Sequence, residues 1–188
     1  MRDVIVSLFA SLDGFATDSD EKMDWVMSRM GQDPGLQEAS LAQVMAAGTL
    51  VYGRSTYATM AAAWPNNEDE AGFADQMNSL PKVVFSKTLR TAEWNNSTID
   101  RSDPPAGVAR LKAEPGGDIL IYGSLTVVGS LMNAGLVDRF RLWVHPVILG
   151  DAGGRRVGEG YQRHDLSVAD TRTFASGVVL LDYGPAGV

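Results

Sequence analysis

The sequence predicts an α/β protein with a mostly parallel central sheet and an antiparallel edge at its C-terminal end. Four short apolar runs rich in β-branched residues are separated by stretches of helical character, at residues 4–10, 50–52, 83–85 and 119–122. Because these runs do not alternate between apolar and polar residues, we expect central strands that are covered on both faces.

The last third of the chain has a different pattern. The segment "RFRLWVHPVIL" alternates, with Phe140, Leu142 and Val144 on one side and Arg139, Arg141 and Trp143 on the other. Residues 165–174 and 177–183 predict a further pair of strands that turns near residues 175–177. These strands predict the antiparallel edge.

Helices are expected between the strands. The segment "PGLQEASLAQVMAAG" has apolar residues at near-helical spacing, opens with Pro34 and closes with Gly48. Shorter helices are expected after Gly53, near residues 105–113, and over residues 124–134 before Gly135. Residues 65–72 are predicted to be an acidic loop.

Composition indicates one ordinary globular domain covering residues 1–188. The chain has 188 residues, of which 45% are hydrophobic and 21% are charged. A chain of this length buries roughly 70% of its unfolded surface, so it needs no disulfide or metal for stability. The absence of cysteine excludes thiolate nucleophiles and cysteine-ligated metal sites, and it favours a reducing compartment. We therefore expect a cytoplasmic protein.

Charge, hydropathy and histidine content argue against a nucleic-acid partner, a membrane span and a metal site. The net charge of −7 repels the phosphate backbone of nucleic acids. No apolar run approaches the roughly 20 residues of a membrane helix. With two histidines and no H-x-x-x-H spacing, no metal site is predicted.

Two segments of the chain are alike: "TLVYGRSTYATM" and "DILIYGSLTVVGSL". Each runs from a predicted strand through Tyr-Gly into a predicted helix, with a threonine three residues after the glycine. Helix N-termini attract phosphate oxygens, although the same residues also serve as ordinary turns and caps. Neither segment matches the G-x-G-x-x-G or the G-x-x-x-x-G-K-[ST] motif, so a standard dehydrogenase or NTPase is not supported.

Five segments together resemble the dihydrofolate reductase-like fold, in particular the branch containing the reductase domain of the bacterial riboflavin biosynthesis protein. They are "SLDGF", "VYGRSTY", "VVFSKTL", "IYGSLTVVGSLM" and "GLVDRFRLWVHPVILGDAGG", in family order along nearly the whole chain. The resemblance implies a three-layer fold, NADPH as cofactor and a homodimer.

The resemblance also implies positions for the cofactor. Arg54, Thr56, Ser86 and Lys87 would surround the adenosine 2′-phosphate and ribose, and Gly123, Ser124, Leu125 and Thr126 would contact the pyrophosphate. The neighbouring Gly53, Ser55 and Tyr122 complete the two junctions, and the nicotinamide would rest against Ala10, Ser11 and Phe15. Only the first junction carries a cation, Arg54, which favours NADPH over NADH.

The predicted reaction is hydride transfer from NADPH to a small heterocyclic, carbonyl or imine substrate resembling a pterin, a pyrimidine or a riboflavin precursor. Asp13, Glu38 or ordered water could deliver the proton, while Asp13 could instead only cap a turn. The family usually carries Gly-Gly where this chain has Tyr122-Gly123, and this substitution leaves the substrate open. The alternative function is a sensor that binds NADPH without turnover.

Three further features have open roles. His145 could face the nicotinamide or substrate, or it could be a structural histidine bonded to backbone. Trp25 could form a pocket wall or fill the core. The glycine-rich segment from Gly150 to Gly160 is expected to be flexible and could cover a pocket or remain a plain surface loop.

Overall fold

The computed structural model describes residues 1–67 and 72–186. The strands are β1 Val4–Ser11, β2 Ala47–Gly53, β3 Lys82–Phe85, β4 Ser97–Asp100, β5 Asp118–Tyr122, β6 Arg139–His145, β7 Leu166–Thr173 and β8 Val179–Pro185. The helices are α1 Asp24–Met30, α2 Pro34–Ala46, α3 Arg54–Ala63, α4 Phe73–Ser79, α5 Pro104–Ala113 and α6 Leu125–Asn133, with a 3₁₀ turn at Gly150–Ala152. Part of the loop predicted at residues 65–72 lies outside the described residues.

The strands form one eight-stranded sheet in the order β4-β3-β2-β5-β1-β6-β8-β7. The pairs from β4 to β6 are parallel, and β8 pairs antiparallel with both β6 and β7. The predicted fold class, a mostly parallel sheet with an antiparallel C-terminal edge, is therefore confirmed.

Helices cover both faces of the central strands. Ile119 and Ile121 of β5 point to the face covered by α5 and α6, where Val108 and Val128 pack against them. Leu120, the residue between them, points to the opposite face, which α2, α3 and α4 cover. This double coverage explains the absence of polar alternation in β5.

The helix predicted to close at Gly48 ends earlier, at Ala46. Gly48 lies inside β2, where an added Cβ would come within 2.7 Å of the Gly117 backbone nitrogen. Gly48 is therefore required by close backbone packing rather than by helix termination.

Three short elements were not predicted. The helices α1 and α4 have seven residues each, and β4 has four. In β4, "STID" forms the outer edge of the sheet and contains only one large apolar residue, so it carries no buried-strand signal. No helix in the described ranges has the length and apolar character needed to cross a bilayer.

Candidate functional site

A crevice opens at the carboxyl edge of the sheet because β1 is longer than its neighbour β5. Ser7 of β1 lies beside Tyr122, the last residue of β5, whereas β6 continues beside β1 until His145 lies opposite Ser11. Residues 8–11 of β1 therefore border a gap on the β5 side. We call this gap the crevice; Gly53 and Gly123 line its opposite margin.

The backbone of β1 presents hydrogen-bonding groups to the crevice. Gly123 N donates to Ser7 O (3.4 Å), and Ser11 N donates to Phe15 O (2.8 Å), so these odd-numbered residues point towards the β5 side. Since backbone groups of alternate residues point to the same side of a strand, the N–H and C=O of Phe9 also point into the crevice. A planar amide-bearing ligand could pair with them.

The two similar junctions meet at the far margin of the crevice. Gly53 N donates to Ser124 Oγ (2.8 Å), and Ser124 N donates to Thr56 Oγ1 (3.0 Å). This junction also favours glycine at position 123, because φ is +58° there and a Cβ would lie 3.2 Å from Thr56 Cγ2. The strand-to-helix junctions therefore form one continuous surface.

Both helices that begin there lack side-chain caps. Gly53 precedes α3, and Ser124 precedes α6, but in the described structure neither makes a side-chain hydrogen bond to its own helix. The Ser124 hydroxyl is used by Gly53 instead. The first-turn N–H groups of two adjacent helices are thus left for a ligand, and their partial positive charge favours an anion.

Ser124 is held in an unusual backbone conformation. Its φ of 59° and ψ of 52° are left-handed, a region that a serine occupies at a cost of roughly 1–3 kcal/mol. The bonds from Ser124 N to Thr56 and from Gly53 N to Ser124 Oγ hold it there. The strained turn aims the start of α6 at the crevice.

A cationic group lies at the outer end of the same edge. Arg54 is exposed, and its Nη1 donates to Thr88 Oγ1 (3.0 Å). Ser86 Oγ accepts from Thr88 N (3.3 Å) and Leu89 N (3.0 Å), which fixes the turn after β3. The structure therefore brings Arg54 beside the segment that contains Ser86 and Lys87.

Two other residues organise this turn. Arg101 donates to the carbonyl oxygens of Lys87 and Leu89 (both 3.1 Å). The Lys87 ammonium lies 3.3 Å from an Asp103 carboxylate oxygen, and both side chains are more than three-quarters exposed. The surface pair is weak, so Lys87 can exchange it for another anion.

The remaining residues of the junctions differ in accessibility. Ser55 and Thr126 are exposed in the first turns of α3 and α6, while Leu125 is buried and its carbonyl accepts from the Tyr161 hydroxyl (3.2 Å). Tyr122 points into the core, where its hydroxyl accepts from Gln43 Nε2 (3.0 Å) and burial raises its pKa to about 12. All peptide bonds within the described ranges, including the one between Tyr122 and Gly123, are trans.

Asp13 is held by the loop that follows β6. Its Oδ1 accepts from Ser11 Oγ (2.7 Å) and Leu149 N (3.1 Å), and its Oδ2 accepts from Gly150 N (2.8 Å). The Ser11 hydrogen bond, supported by those from the backbone, lowers the pKa of Asp13 to about 2. An acid this strong remains ionised near neutral pH and cannot supply a proton, so these contacts favour the turn-capping alternative.

We expect Asp13→Asn to weaken the attachment of this loop, because an amide NH₂ would face one of the backbone N–H groups. The depressed pKa of Asp13 stabilises the native state above pH 4, and this contribution disappears as the pH falls from about 4 to 2. The free energies of unfolding of the parent protein and of Asp13→Asn, measured with urea, should therefore differ at pH 6 and become equal near pH 2. An equal difference in unfolding free energy at both pH values would contradict the role of Asp13 in holding this loop.

Glu38 is not brought to the crevice. The buried residues of α2 are Leu36, Ser40, Gln43 and Val44, which share the face that packs on the sheet. Glu38 is exposed on the opposite side of the helix. The placement argues against Glu38 as a proton donor.

The residues predicted to lie against a nicotinamide are found where β1 ends. Ala10 is buried, and Ser11 Oγ accepts from Phe15 N (2.9 Å), which folds Phe15 back over the strand end. The ring of Phe15 lies under the Arg156 guanidinium, 3.9 Å from its centroid. Phe15 therefore forms a fixed wall beside the crevice.

The glycine-rich segment predicted to be flexible is bonded to this wall. Residues Phe15 and Asp18 form antiparallel bridges with Arg156 and Gly153. Arg156 Nη1 also donates to Asp13 O (2.7 Å). These roles of Gly153 and Arg156 were not predicted from the sequence, although adjacent glycines such as those in "GDAGGRR" are typical of close backbone packing.

His145 is fully buried on β6 beside the end of β1. Neither ring nitrogen has a hydrogen-bond partner among the residues that the structure describes, so the backbone-bonded alternative is not found. Burial, reinforced by the charge of Arg29, lowers the pKa of His145 to about 4. The imidazole is therefore neutral. In the same described ranges, no group of three or more histidine or acidic residues could hold a metal ion.

The sheet order, the crevice and the paired helix N-termini define a protein of the dihydrofolate reductase-like class. The family model of the RibD C-terminal domain matches residues 2–180. The chain therefore belongs to the RibD C-terminal domain family.

Two proteins of Bacillus subtilis strain 168 are similar to this chain over most of its length. The uncharacterized protein YyaP of Bacillus subtilis strain 168 is 35% identical over 185 residues, which cover 97% of this chain and 94% of YyaP. A second protein of that strain, YwjB, is 28% identical over 150 residues, covering 79% of each chain.

Solved structures establish the same fold. A protein from Shewanella sp. PV-4 assigned to riboflavin biosynthesis superposes with a TM-score of 0.77 at 21% identity, covering 100% of both chains. The diaminohydroxyphosphoribosylaminopyrimidine deaminase/5-amino-6-(5-phosphoribosylamino)uracil reductase of Thermotoga maritima superposes with a TM-score of 0.70 at 14% identity. In that comparison the alignment covers 98% of this chain and 57% of the Thermotoga chain.

Proposed function

We propose that the protein is an NADPH-dependent reductase that transfers a hydride to a small heterocycle of the pyrimidine type. The observation that carries the proposal is the joining of two uncapped helix N-termini through Gly53, Ser124 and Thr56 at one crevice. NADPH has phosphates in two places, a pyrophosphate and a 2′-phosphate, whereas NADH has only the pyrophosphate. The family membership supports a reductase, and the chain's own charges support the choice of cofactor.

The residues at the crevice fit the parts of NADPH in order. The start of α6 would hold the pyrophosphate with backbone N–H groups, and Arg54, with the turn containing Ser86 and Lys87, would hold the 2′-phosphate. The Phe9 backbone would pair with the carboxamide of the nicotinamide. The cofactor supplies the hydride when it is bound, and these residues orient it.

The proton would come from solvent. Asp13 is bound to Leu149 and Gly150, and Glu38 is exposed away from the crevice. Reduction of a polarised C=N or C=O bond needs a proton on the heteroatom, which an ordered water can deliver. The cytoplasm would supply the reduced cofactor.

The test combines binding with turnover. NADPH titrated into the protein should be bound, and its absorbance at 340 nm should then fall steadily when a pyrimidine-type substrate is added. Failure of both NADPH and NADH to bind would refute the assignment of the two junctions.

A second candidate is a sensor that binds NADPH without turnover. The specific observation in its favour is the engagement of Asp13 by the loop, which leaves that carboxylate without a proton to give. Tight binding of NADPH with no consumption across a panel of pyrimidines, pterins and simple carbonyl compounds would favour the sensor.

We also propose a homodimer formed along the outer strand β7. All eight residues of β7 are exposed, and Val168 is 61% exposed at this edge of the sheet. Edge strands of this kind pair readily with a second copy.

We expect Val168→Lys to lower the molecular mass in solution from the about 40 kDa of a dimer towards the 20.2 kDa of the monomer, because a charge on the edge opposes strand pairing. Light scattering after size-exclusion chromatography measures the mass. Arg163→Ala, which changes an exposed charge outside the strand, is the control. A monomeric parent protein at micromolar concentration would refute the dimer.

A further inference from the structure

His145, which is fully buried, and Trp25, which is half-buried, are in ring contact on the β6 side of β1, the strand whose other side borders the crevice. The His145 ring lies 5.3 Å from the Trp25 ring at 89° and 5.6 Å from the Phe9 ring at 77°, measured between ring centroids. Trp25 Nε1 and both nitrogens of His145 are buried, and none has a partner in the part of the chain that the structure describes. Three buried polar atoms without a partner therefore belong to two rings in edge-to-face contact.

Such an arrangement is costly unless a partner binds. A buried donor or acceptor left without a hydrogen bond costs roughly 1–3 kcal/mol. Phenylalanine at position 145 would fill a similar space at no such cost. The polar atoms therefore indicate a partner that is not part of the protein.

His145 lies close enough to the crevice for these polar atoms to contact a substrate of the proposed reaction. His145 lies opposite Ser11 in the pairing of β6 with β1, and neighbouring strands are about 4.8 Å apart. The imidazole is thus one strand spacing from β1, whose other side borders the crevice. A flat ring lying over the end of β1 would reach both His145 and a nicotinamide in the crevice.

Helix α1, which places Trp25 over His145, is held to the rest of the protein by few contacts. Trp25 belongs to α1, which has seven residues, no side-chain cap within the described structure, and Val26 as its buried residue. Arg29 holds the helix to Ser176 O and Pro146 O through long hydrogen bonds of 3.4 and 3.5 Å. Few contacts would therefore have to break for the helix to shift and admit a ligand.

We propose that His145 and the Trp25 indole N–H recognise the substrate by hydrogen bonding to one edge of a neutral planar heterocycle. This inference rests on the proposed reductase function. A neutral imidazole offers one donor and one acceptor, and the indole adds a second donor. An N–H group beside a C=O group, as in a pyrimidinone, is the complementary edge.

The direct test is NMR of the 188-residue protein loaded with NADP⁺ and labelled with ¹⁵N-histidine and ¹⁵N-tryptophan. Uracil is the probe, and 1,3-dimethyluracil, which lacks N–H donors, is the matched control ligand. Uracil should shift the imidazole resonances of His145 and the indole resonance of Trp25, while His164, which is half-buried beside Asn133, stays unchanged. An unchanged His145, or equal shifts with both ligands, would overturn the proposal.

Two variants separate recognition from a structural role. His145→Phe should lose the uracil response yet melt at the same or a higher temperature, because unpaired polar atoms are removed; His145→Gln should retain part of the response. A lower melting temperature for His145→Phe with an unaltered uracil response would show a structural histidine that binds only water. NADP⁺ binding is measured in every sample, so a protein that fails to bind NADP⁺ refutes the cofactor proposal rather than this one.

Discussion

Replacing Arg54 with alanine is expected to weaken NADPH binding about ten- to a hundred-fold while leaving NADH binding nearly unchanged. Arg54 is the cation at the start of α3, and its guanidinium already donates to Thr88 Oγ1 in the turn after β3. A charge-assisted hydrogen bond contributes roughly 1.5–3 kcal/mol, which corresponds to that range of affinity. Fluorescence titration with both cofactors measures the difference.

Salt and a second arginine provide the controls. Because Arg54 is exposed, added salt should reduce NADPH affinity in the parent protein and have less effect in Arg54→Ala. Arg163→Ala removes another exposed arginine, one paired with Asp165, and should leave both affinities unchanged. Equal affinity of the parent protein for NADPH and NADH would contradict the role of Arg54.

Gly153→Ala is expected to destabilise the protein by about 1–3 kcal/mol and to weaken cofactor binding. A Cβ at Gly153 would come within 2.5 Å of three ring carbons of Phe15, and overpacking against a rigid ring has a cost of this size. Phe15 would then have to leave its position beside the crevice. Urea unfolding and an NADPH titration measure the two effects.

Gly31→Ala is the matched control for that substitution. Gly31 has an ordinary φ of −72°, and an added Cβ would lie 3.9 Å from Met27 O, which is normal contact. Its stability should stay within about 0.5 kcal/mol of the parent. Gly153→Ala behaving like Gly31→Ala would show that the glycine-rich segment does not support Phe15.

The sheet could be predicted because its signals are local. The run at residues 119–122 is apolar at every position, since both faces of β5 are covered. By contrast, β4 at the sheet edge and the short helices α1 and α4 lack such a pattern, because little of their surface is buried. Their position depends on the neighbouring elements rather than on their own residues.

In the candidate site, too, some residues could be placed from the sequence and others could not. Gly53 and Gly123 stand in recognisable strand-to-helix segments, so their approach to one edge of the sheet followed from the parallel topology. The engagement of Asp13 by Leu149 and Gly150 joins segments 136 and 137 residues apart, and no pattern near Asp13 indicates it. The outward position of Glu38 likewise depends on how α2 rotates against the sheet.

The bonds between the two junctions have a consequence for folding kinetics. Gly53 and Ser124 are 71 residues apart in the chain, and Ser124 and Thr56 are 68 apart. Their contact requires β2 to pair with β5 across a long intervening segment that contains α3, α4, β3, β4 and α5, a step that is slow because its closure entropy must be met first. The ligand surface is thus absent from the unfolded chain, and any ligand bound there adds its binding energy to the native state alone. Recovery of ligand binding after dilution from denaturant therefore reports the assembly of the central sheet, not the formation of either helix.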